Sequence, residues 1–474
     1  MTKRTKIIAT IGPASSSPKI ISNLIRAGMD AARLNFSHGD RNDHILRLKL
    51  IRQESTRAGR HIAIIQDLQG PKLRVGAVKD DAVQIKHGDP LVLTTKKVLG
   101  TSEMVSVTYP RLTRDLKIGD TVLLDDGRLE LHVARKNTHS LTCKVIRGGM
   151  LKSHKGVNLP GAYLSLPSLS KKDKEDLTFG VQQGVDYIAL SFVRTDRDIH
   201  QTRAFIHSLG VSIPIIAKIE KPEAIENLDA IIHAADGVMV ARGDLGVEMS
   251  PEKVPVLQKK IISACNEIEK PVITATQMLE SMIENPQPTR AEASDVANAI
   301  LDGTDCVMLS GETAVGKYPV HAVEFMSKIA LQAEQSVVRR RPNTNLSGVD
   351  ESVAHAACRA AEEQCAQAIV TFTQTGSTAL LVSKHRPGTS IIAPTPFEQV
   401  ARKMSLYWGV TPVILKTKQT TDDMISSVER IMVKKKLGKR HNLIVITAGV
   451  PIGEAGSTNM MKLHRVGENE GLES

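Results

Sequence analysis

At 474 residues, the chain is long enough for about two to three domains. Hydrophobic residues make up 41% and charged residues 24%, as in ordinary soluble proteins, and no run approaches the roughly 18 apolar residues of a membrane span. The net charge of +11 favours anionic partners, but 3% aromatic residues are too few for a nucleic-acid binder that stacks bases. Five cysteines without a CxxC pair, and no apolar signal segment, predict a protein of the reducing cytoplasm. Together with the two preceding observations, this predicts a protein without membrane or nucleic-acid partners.

Eight short apolar runs with helical patterns between most of them predict an α/β fold. The predicted strands are Ile7–Ile11, Ala31–Asn35, Ile62–Gln66, Tyr187–Ser191, Pro214–Lys218, Gly237–Ala241, Pro271–Ala275 and Cys306–Leu309. Alternating strands and helices require a parallel sheet, and eight units favour closure into a (β/α)₈ TIM barrel. An open doubly wound sheet is the alternative, but no GxGxxG follows the first strand.

The spacing breaks once, after the third strand, where about a hundred residues alternate apolar and polar positions between turn signals. The predicted strands there are Val83–Val92, Val105–Val107, Thr121–Leu124, Leu129–Ala134 and Leu141–Val145. We interpret residues 71–166 as a small β-barrel domain (B) inserted between two parts of the barrel domain (A), residues 1–70 and 167–342. A domain at this position can act as a lid.

A polar, turn-rich segment follows Arg339–Arg341, and a second α/β set begins after it. Its predicted strands are Ala368–Phe372, Ser390–Ala393, Val410–Leu415 and Asn442–Thr447. Residues 343–474 are therefore expected to form a separate C-terminal α/β domain (C).

Charged side chains follow two neighbouring barrel strands. Lys218 and Glu220 end one strand, and Asp244 follows the next. Because parallel strands present their carboxyl ends at one edge of a sheet, these side chains are expected to lie side by side. Two carboxylates and an ammonium there suit a magnesium ion and an anionic substrate, although a structural ion pair at a strand end is an open alternative.

Further polar residues follow the second and third strands. Arg33, Asn35 and Ser37 come from ARLNFSHG, and Asp67 and Arg74 come from QDLQGPKLR. Two guanidinium groups, a lysine and a metal pair can position and neutralise a phosphoryl group in transfer. The strand ends together therefore predict phosphoryl-transfer chemistry.

Segments along nearly the whole chain resemble the pyruvate kinase family. They include TKIIATIGPAS, ARLNFSHG, QDLQGPKLR, KGVNLPG, IIAKIEKPEAIEN, VARGDLGVE, ITATQMLESM and FTQTGSTA. The resemblance implies a barrel with an inserted β domain and a regulatory C-terminal domain, assembled as a homotetramer. It also implies phosphoryl transfer from phosphoenolpyruvate to ADP, which yields pyruvate and ATP in the last step of glycolysis.

The resemblance also implies roles for matching residues. Glu220 and Asp244 would bind Mg²⁺ or Mn²⁺, and Lys218 would stabilise the developing enolate. Arg33 would hold the substrate phosphate. The substrate carboxylate and methylene group are expected at Gly243, Asp244 and Thr276, and Thr276 is also implicated in protonating the enolate. The expected nucleotide contacts are Arg74, Lys155, Asn35 and His38.

One departure from the family concerns the monovalent cation. Many members hold K⁺ with groups that match Asn35, Ser37, Asp67 and a hydroxyl residue after that aspartate, where this chain has Leu68. It also has Lys72 where many K⁺-dependent members have glutamate. An ammonium supplies the charge of K⁺ and repels a cation, so we predict that K⁺ is not required. The alternative is a solvated loop lysine.

A second candidate site lies in the C-terminal domain, where a strand leads into a helix through TFTQTGST. Backbone N–H groups at such a helix start can bind phosphate. The resemblance implies a sugar-phosphate effector there, and the candidate contacts are Thr373, Thr375, Gly376, Ser377 and Thr378. Gln374 and Glu454 favour a monophosphorylated sugar or AMP over a bisphosphate. A helix cap without a ligand is the alternative.

Two other functions are weighed against the kinase. The first is another metal-dependent enzyme of the phosphoenolpyruvate/pyruvate barrel group, a lyase or aldolase, which would not need the nucleotide-side Arg74 and Lys155. The second is a non-catalytic binding protein on the same scaffold. Such a protein would not need Lys218, Glu220 and Asp244 together, and the charge is not gathered into a basic stripe.

Overall fold

The computed structural model describes residues 3–336, 348–416, 420–450 and 458–467. Eight parallel strands close into a barrel in which each strand pairs with its neighbours in chain order. The strands are Lys6–Thr10, Ala31–Asn35, Ala63–Asp67, Tyr187–Leu190, Ile215–Ile219, Gly237–Ala241, Val272–Ala275 and Cys306–Leu309. The predicted TIM barrel is thereby confirmed.

Helices surround this barrel and follow the strands. They are Pro18–Ala27, Arg41–Arg57, Lys171–Gln182, Asp196–Ser208, Pro222–Glu226, Leu228–Ala234, Arg242–Glu248, Val254–Glu267, Arg290–Leu301, Gly311–Ala314 and Pro319–Gln335. Alternate strand residues serve two cores, because Ile7 and Ala9 pack toward the helices whereas Ile8 lies in the barrel interior. This alternation explains why each strand reads as a continuous apolar run.

Local signals set the helix ends. The first helix begins after Ser17, whose hydroxyl accepts a hydrogen bond from Ile20 N–H, and Pro18 occupies its first position. It ends at Gly28, whose φ of 118° is in the left-handed region that glycine adopts without steric cost. The chain can then turn directly into the second strand.

The inserted part is all-β apart from two short helical segments, Lys79–Asp81 and Leu112–Asp115. Its strands are Ala82–Ile85, Pro90–Thr94, Met104–Ser106, Thr121–Leu124, Leu129–Lys136, Ser140–Arg147, Gly149–Lys152 and Val157–Asn158. Six of them form one sheet, and single-residue bridges from Arg74 to Gly156 and from Val75 to Val107 join the two edges of that sheet. The sheet therefore curls into a small barrel with its own apolar core.

The C-terminal part is a five-stranded sheet with helices packed against it. Its strands are Ala368–Thr371, Ser390–Thr395, Val410–Ile414, Leu443–Ala448 and Met460–Arg465, and its helices are Val349–Glu363, Ser377–Lys384, Glu398–Met404 and Thr421–Lys434. The first four strands are parallel, and the last is antiparallel. The boundary predicted at residue 342 lies outside the described residues, as does the first part of the polar segment that follows Arg341; the last part of that segment begins the helix Val349–Glu363.

The C-terminal part covers the amino-terminal end of the barrel. Leu406 belongs to the buried cluster in the barrel interior, and its carbonyl accepts a hydrogen bond from Cys306 Sγ at 3.3 Å. Ser405 Oγ accepts from Ala63 N–H at 3.1 Å. One end of the barrel is thus closed by packing, and the carboxyl ends of the strands remain for a site.

Two predicted elements need correction, and one C-terminal strand was missed. The single strand predicted at Val83–Val92 is two strands, because Gly88 turns the chain with a φ of 88°. The single helix predicted at Pro222–Ala235 is two helices that meet at Asn227. The strand Met460–Arg465 was not predicted, since its short run carries charged residues and lies at the edge of the sheet.

Candidate active site

Lys218 is the centre of a buried polar network at the carboxyl end of its strand. Its Nζ atom donates to Ser191 Oγ at 2.7 Å and to Asp67 Oδ1 at 3.2 Å, and lies 2.9 Å from Glu220 Oε1. Burial opposes its charge, but the carboxylates of Asp67 and Glu220 outweigh that cost and raise the pKa of Lys218 above its usual value. The residue is a permanent cation inside the barrel mouth.

Arg33 enters the same network from the second strand. Its Nε donates to Asp67 Oδ2 at 2.6 Å, and its Nη1 donates to Thr10 Oγ1 at 3.1 Å. Burial would raise the pKa of Asp67, but Lys218 and Arg33 overcome it and hold that pKa below its usual value. Asp67 is therefore an ionised carboxylate that holds two cations at neighbouring strand ends.

Glu220 and Asp244 supply the acidic side of the site. Glu220 is 1% exposed, and its Oε2 accepts from Phe192 N–H at 2.8 Å. Asp244 lies in the first turn of the helix Arg242–Glu248 and is half-buried. Burial and the charge of Asp244, acting against Lys218, raise the pKa of Glu220 to about 7.

This donor set fits a divalent cation. The carboxyl of Glu220 is costly to ionise in the protein alone, and a divalent ion would remove that cost by compensating both Glu220 and Asp244. Within the described parts of the chain, no group of three His, Cys, Asp or Glu side chains is arranged to hold a metal ion. Magnesium held by two carboxylates would complete its shell with substrate and water oxygens.

The loop after the seventh strand is held in an unusual conformation next to this acidic pair. Thr276 and Gln277 have φ angles of 68° and 52°, which are rare for residues other than glycine. Thr276 Oγ1 accepts from Gly243 N–H at 2.7 Å, and its carbonyl accepts from Arg242 Nη2 at 2.8 Å. Arg242 is in turn paired with Asp295 at 2.7 Å. The threonine hydroxyl is thereby fixed beside Gly243.

Arg74 and Lys155 lie together where the inserted domain joins the barrel. Arg74 Nη1 donates to the carbonyl of His154 at 3.0 Å, and Lys155 Nζ lies 2.7 Å from Asp125 Oδ1. His38 is exposed, and its pKa is lowered by partial burial and by the charges of Lys72, Arg74 and Arg33. His38 and Arg74 therefore share a positively charged region with Lys72 and Arg33, and the carbonyl of Lys155 accepts a hydrogen bond from the N–H of Val75, next to Arg74.

The residues considered for a monovalent cation lie at neighbouring strand ends, where Asn35 pairs in register with Asp67. Asn35 Oδ1 accepts from Ser37 N–H at 3.1 Å, while Asp67 is paired with Arg33 and Lys218. Leu68 is 1% exposed and packs in the core between strands and helices, so its side chain offers no ligand. Lys72 is exposed and lines the cleft between the inserted domain and the barrel, together with Asp244.

The candidate effector loop consists of hydroxyl side chains around a glycine in the left-handed backbone conformation. Gly376 has a φ of 92°, and its N–H donates to Thr373 Oγ1 at 2.9 Å. Thr375 Oγ1 and Ser377 Oγ are 3.0 Å apart and lie at the surface. The short helix Ser377–Lys384 begins here, so its first N–H groups face the loop.

Thr378 connects this loop to Thr458, which lies just before the last strand, Met460–Arg465. Its Oγ1 is 2.7 Å from Thr458 Oγ1, and both side chains are buried. Gln374 lines a cavity against the barrel. Glu454, on which the preference for one phosphate depends, lies outside the described residues.

The structure adds two groups of residues that sequence reasoning did not select. Ser191 was assigned only to a strand, although a hydroxyl directly at a barrel strand end is a usable signal. Glu248 accepts from Asn158 of the inserted domain at 2.8 Å and pairs with Lys221 at 2.6 Å. That contact joins two parts of the chain distant in sequence, so no local pattern indicates it.

Comparisons with known proteins agree along the chain. Residues 2–323 match the family model described as pyruvate kinase, barrel domain, and residues 351–464 match the one described as pyruvate kinase, alpha/beta domain. The chain is 47% identical to a pyruvate kinase of Geobacillus stearothermophilus over 99% of its own length and 81% of the relative's. It is 48% identical to pyruvate kinase 2 of Synechocystis sp. over 98% and 79%, respectively.

A solved structure shows the same architecture. The crystal structure of a pyruvate kinase from Cryptosporidium parvum superposes with a TM-score of 0.91 at 40% identity, covering 98% of this chain and 96% of that one. In the described part of the chain, no helix is both long enough and apolar enough to cross a membrane.

Proposed function

This chain belongs to the pyruvate kinase family, and on that premise we propose that the side chains at the carboxyl edge of its barrel perform the family reaction. The reaction moves the phosphoryl group of phosphoenolpyruvate to ADP and leaves the enolate of pyruvate, which then takes a proton. The observation that carries this assignment is the buried ammonium of Lys218 between Asp67, Ser191 and Glu220. A fixed cation there can stabilise charge as it develops.

The substrate phosphate is bound by Arg33, whose guanidinium is already oriented by Asp67 and Thr10. Guanidinium groups match phosphate oxygens through parallel N–H bonds, so pre-orientation lowers the entropy lost on binding. Gly243 and Thr276 receive the carboxylate and methylene end, and Thr276 is placed to assist proton delivery there. This arrangement is supported by the hydrogen bond between these two residues.

Glu220 and Asp244 hold the divalent cation, Mg²⁺ or Mn²⁺. When bound, the cation neutralises charge on the phosphoryl oxygens and orients the substrate. The proposal is supported by the burial of Glu220 and by the nearby charge of Asp244, which together raise the pKa of Glu220 against the opposing charge of Lys218.

ADP binds on the side of the site that faces the inserted domain. Arg74 and Lys155 neutralise its phosphates, and Asn35 and His38 line the same side. The shared positive region around His38 supports this placement. Residues 71–166 act as the lid domain over this side, between the two parts of the barrel domain at 1–70 and 167–342.

The enzyme works without K⁺. Buried Leu68 supplies no side-chain oxygen, and the positive charge of Lys72 reaches His38 at the same edge of the barrel.

Residues 343–474 form the regulatory domain, in which the Thr373–Thr378 loop binds the phosphate of a sugar monophosphate or of AMP. We further propose a homotetramer located in the cytoplasm.

The lyase and the non-catalytic protein are not favoured by the family assignment. The decisive assay measures pyruvate formation from phosphoenolpyruvate, ADP and Mg²⁺ by coupling it to NADH oxidation. We expect Lys218→Met to lower kcat by about 100- to 1000-fold, the usual loss when one preorganised electrostatic contact is removed.

The control is Lys259→Met, which removes a largely exposed lysine paired with Asp302 and should leave kcat unchanged. Wild-type protein that forms no pyruvate under any salt or sugar-phosphate condition would reject the kinase assignment. Full activity in Lys218→Met would reject the role of that lysine alone.

A further inference from the structure

Ser191 lies at the carboxyl end of the fourth barrel strand, directly beside the proposed catalytic lysine. It is 3% exposed, so its hydroxyl interacts with protein groups and not with bulk water. Three groups surround Ser191 Oγ: Lys218 Nζ and the carbonyl of Leu68 at 2.7 Å each, and Asp67 Oδ1 at 3.3 Å. A small neutral side chain thus connects three groups of the active site.

The distances fix the direction of these hydrogen bonds. A hydroxyl has one hydrogen, and the carbonyl of Leu68 is the closer acceptor, so Ser191 donates there. Its lone pairs then face Lys218, which can only donate. The carbonyl of Leu68 is therefore satisfied, and the serine oxygen is aimed at the ammonium.

The lysine has no donor to spare in this arrangement. An ammonium carries three N–H groups, and here Asp67, Ser191 and Glu220 each lie within reach of Lys218 Nζ. A carboxylate that binds a divalent cation is a weaker partner for the lysine. Only Asp67 and Ser191 then remain to hold the ammonium.

We propose that Ser191 is a positioning residue for phosphoryl transfer. Its hydroxyl, with Asp67, holds the Lys218 ammonium so that the N–H now facing Glu220 is directed at the transferring group. Without the hydroxyl, Asp67 alone would hold the ammonium, and its remaining N–H groups would no longer be directed at the transferring group. This inference rests on the proposed function, because it assigns Ser191 a role through Lys218.

The expected signature is a loss in kcat with little change in KM. Charge placed where negative charge develops matters most in the transition state, so ground-state binding of phosphoenolpyruvate should survive. A hydrogen bond to a charged group accounts for about a 10- to 100-fold effect on rate. Ser191→Ala should lower kcat by that factor, with both KM values within about threefold of wild type.

Two further variants separate the hydroxyl from the packing. Ser191→Cys keeps the size but offers a poor acceptor, so it should lose kcat as Ser191→Ala does. Ser191→Thr keeps the hydroxyl and should retain at least about a third of wild-type kcat. Calorimetric binding of phosphoenolpyruvate with Mg²⁺ and without ADP provides a readout without turnover, and it should be nearly unchanged in all three variants.

The matched control is Ser383→Ala. Ser383 is also fully buried, and its hydroxyl also donates to a backbone carbonyl, that of Trp408 at 2.7 Å, but it lies in the C-terminal domain. This variant should lower the melting temperature about as much as Ser191→Ala and leave kcat unchanged. The pair therefore corrects for the stability cost of deleting a buried hydroxyl.

Three results would overturn the inference. They are wild-type kcat in Ser191→Ala, wild-type kcat in Ser191→Cys, or a loss in Ser191→Thr as large as that in Ser191→Ala. Wild-type protein without phosphoenolpyruvate:ADP phosphotransfer would instead reject the proposed function itself. Active wild type with an unaffected Ser191→Ala would reject only the role of Ser191.

Discussion

Three charged side chains, those of Arg33, Asp67 and Lys218, are almost completely buried at one end of the barrel. Burying charges is costly unless each has a partner, and here one carboxylate serves two cations from neighbouring strands. Such a pair is weak evidence for stability, since replacing buried charges with apolar residues is often neutral. Its value lies in orientation, because each cation is fixed before any substrate arrives.

The raised pKa of Glu220 predicts pH-dependent metal binding. The folded, metal-free chain keeps a proton on Glu220 up to about pH 7, whereas the usual pKa of a glutamate is 4.5. The stability that the chain gains from this tighter proton binding is complete below about pH 4.5 and is lost as the pH rises through 7. A divalent cation needs the ionised form. We therefore expect Mn²⁺ affinity, measured by calorimetry, to be about tenfold weaker at pH 6 than at pH 8.

The control for this effect is Glu220→Gln, which cannot ionise and should bind Mn²⁺ weakly at both pH values. Equal Mn²⁺ affinity of the wild type at the two pH values would contradict the perturbed carboxyl.

Lys72 predicts how the enzyme responds to K⁺. Replacing a tetraalkylammonium salt with KCl at equal ionic strength should change wild-type kcat by less than about twofold, since an ammonium already supplies the charge. In Lys72→Glu that charge is lost and a carboxylate is gained, so kcat should fall without K⁺ and recover with it. Lys97→Glu makes the same charge change at another exposed lysine and should not respond. Many-fold activation of the wild type by KCl would contradict the hypothesis.

At the scale of the element, helix starts also hold the active-site loops. Ser170 caps the helix Lys171–Gln182, and Asp173 in its first turn accepts from Ser170 N–H. The same carboxylate accepts from Gly70 N–H at 3.0 Å. Gly70 begins the loop that carries Lys72 and leads to Arg74, so a helix cap fixes one side of the cleft.

Asp173→Ala should therefore affect both stability and nucleotide binding. The change removes the carboxylate that completes the capping box with Ser170 and leaves buried donors unsatisfied, a destabilisation of about 2 to 4 kcal/mol, and it frees Gly70. We expect a lower melting temperature and a higher KM for ADP. Asp423→Ala removes an exposed carboxylate at the same position of a C-terminal helix and should change neither by much. An unchanged KM for ADP in Asp173→Ala would contradict the link to the cleft.

At the scale of the whole molecule, a buried charge cluster joins the barrel to the C-terminal domain. Asp305 precedes the last barrel strand and is paired with Lys384 at 2.7 Å and Arg386 at 2.8 Å. Lys384 ends the helix that begins at the candidate effector loop, and its side chain is 2% exposed. The loop and the base of the barrel are thus connected by one short helix.

Asp305→Ala should weaken this connection strongly. Removing one partner of a buried pair leaves Lys384 uncompensated, which costs about 3 to 5 kcal/mol, so calorimetry should show a large fall in melting temperature. Lys259→Met, which breaks an exposed pair, should cost at most about 1 kcal/mol. Similar melting temperatures for the two variants would show that the cluster does not hold the domains together.

Most barrel elements, and the order of the polar residues that follow them, could be predicted from the amino-acid pattern alone. Continuous apolar runs indicate strands buried on both faces, and residues such as Lys218, Glu220 and Asp244 follow these runs directly, so the closed barrel and its polar edge could be predicted. Local turns limited the accuracy, since Gly88 divides a predicted strand and Asn227 divides a predicted helix. These are backbone features that periodicity does not report.

Which side chains meet became clear only from the three-dimensional packing. The hydroxyl of Ser191 beside Lys218, the Asp173 link to Gly70 and the Leu406 side chain in the barrel interior join residues far apart in the chain. Such contacts depend on how strands and helices pack in three dimensions, and no local pattern encodes them. The same holds for the pKa of Glu220, which depends on burial and on the nearby charge of Asp244, a residue that follows the neighbouring strand.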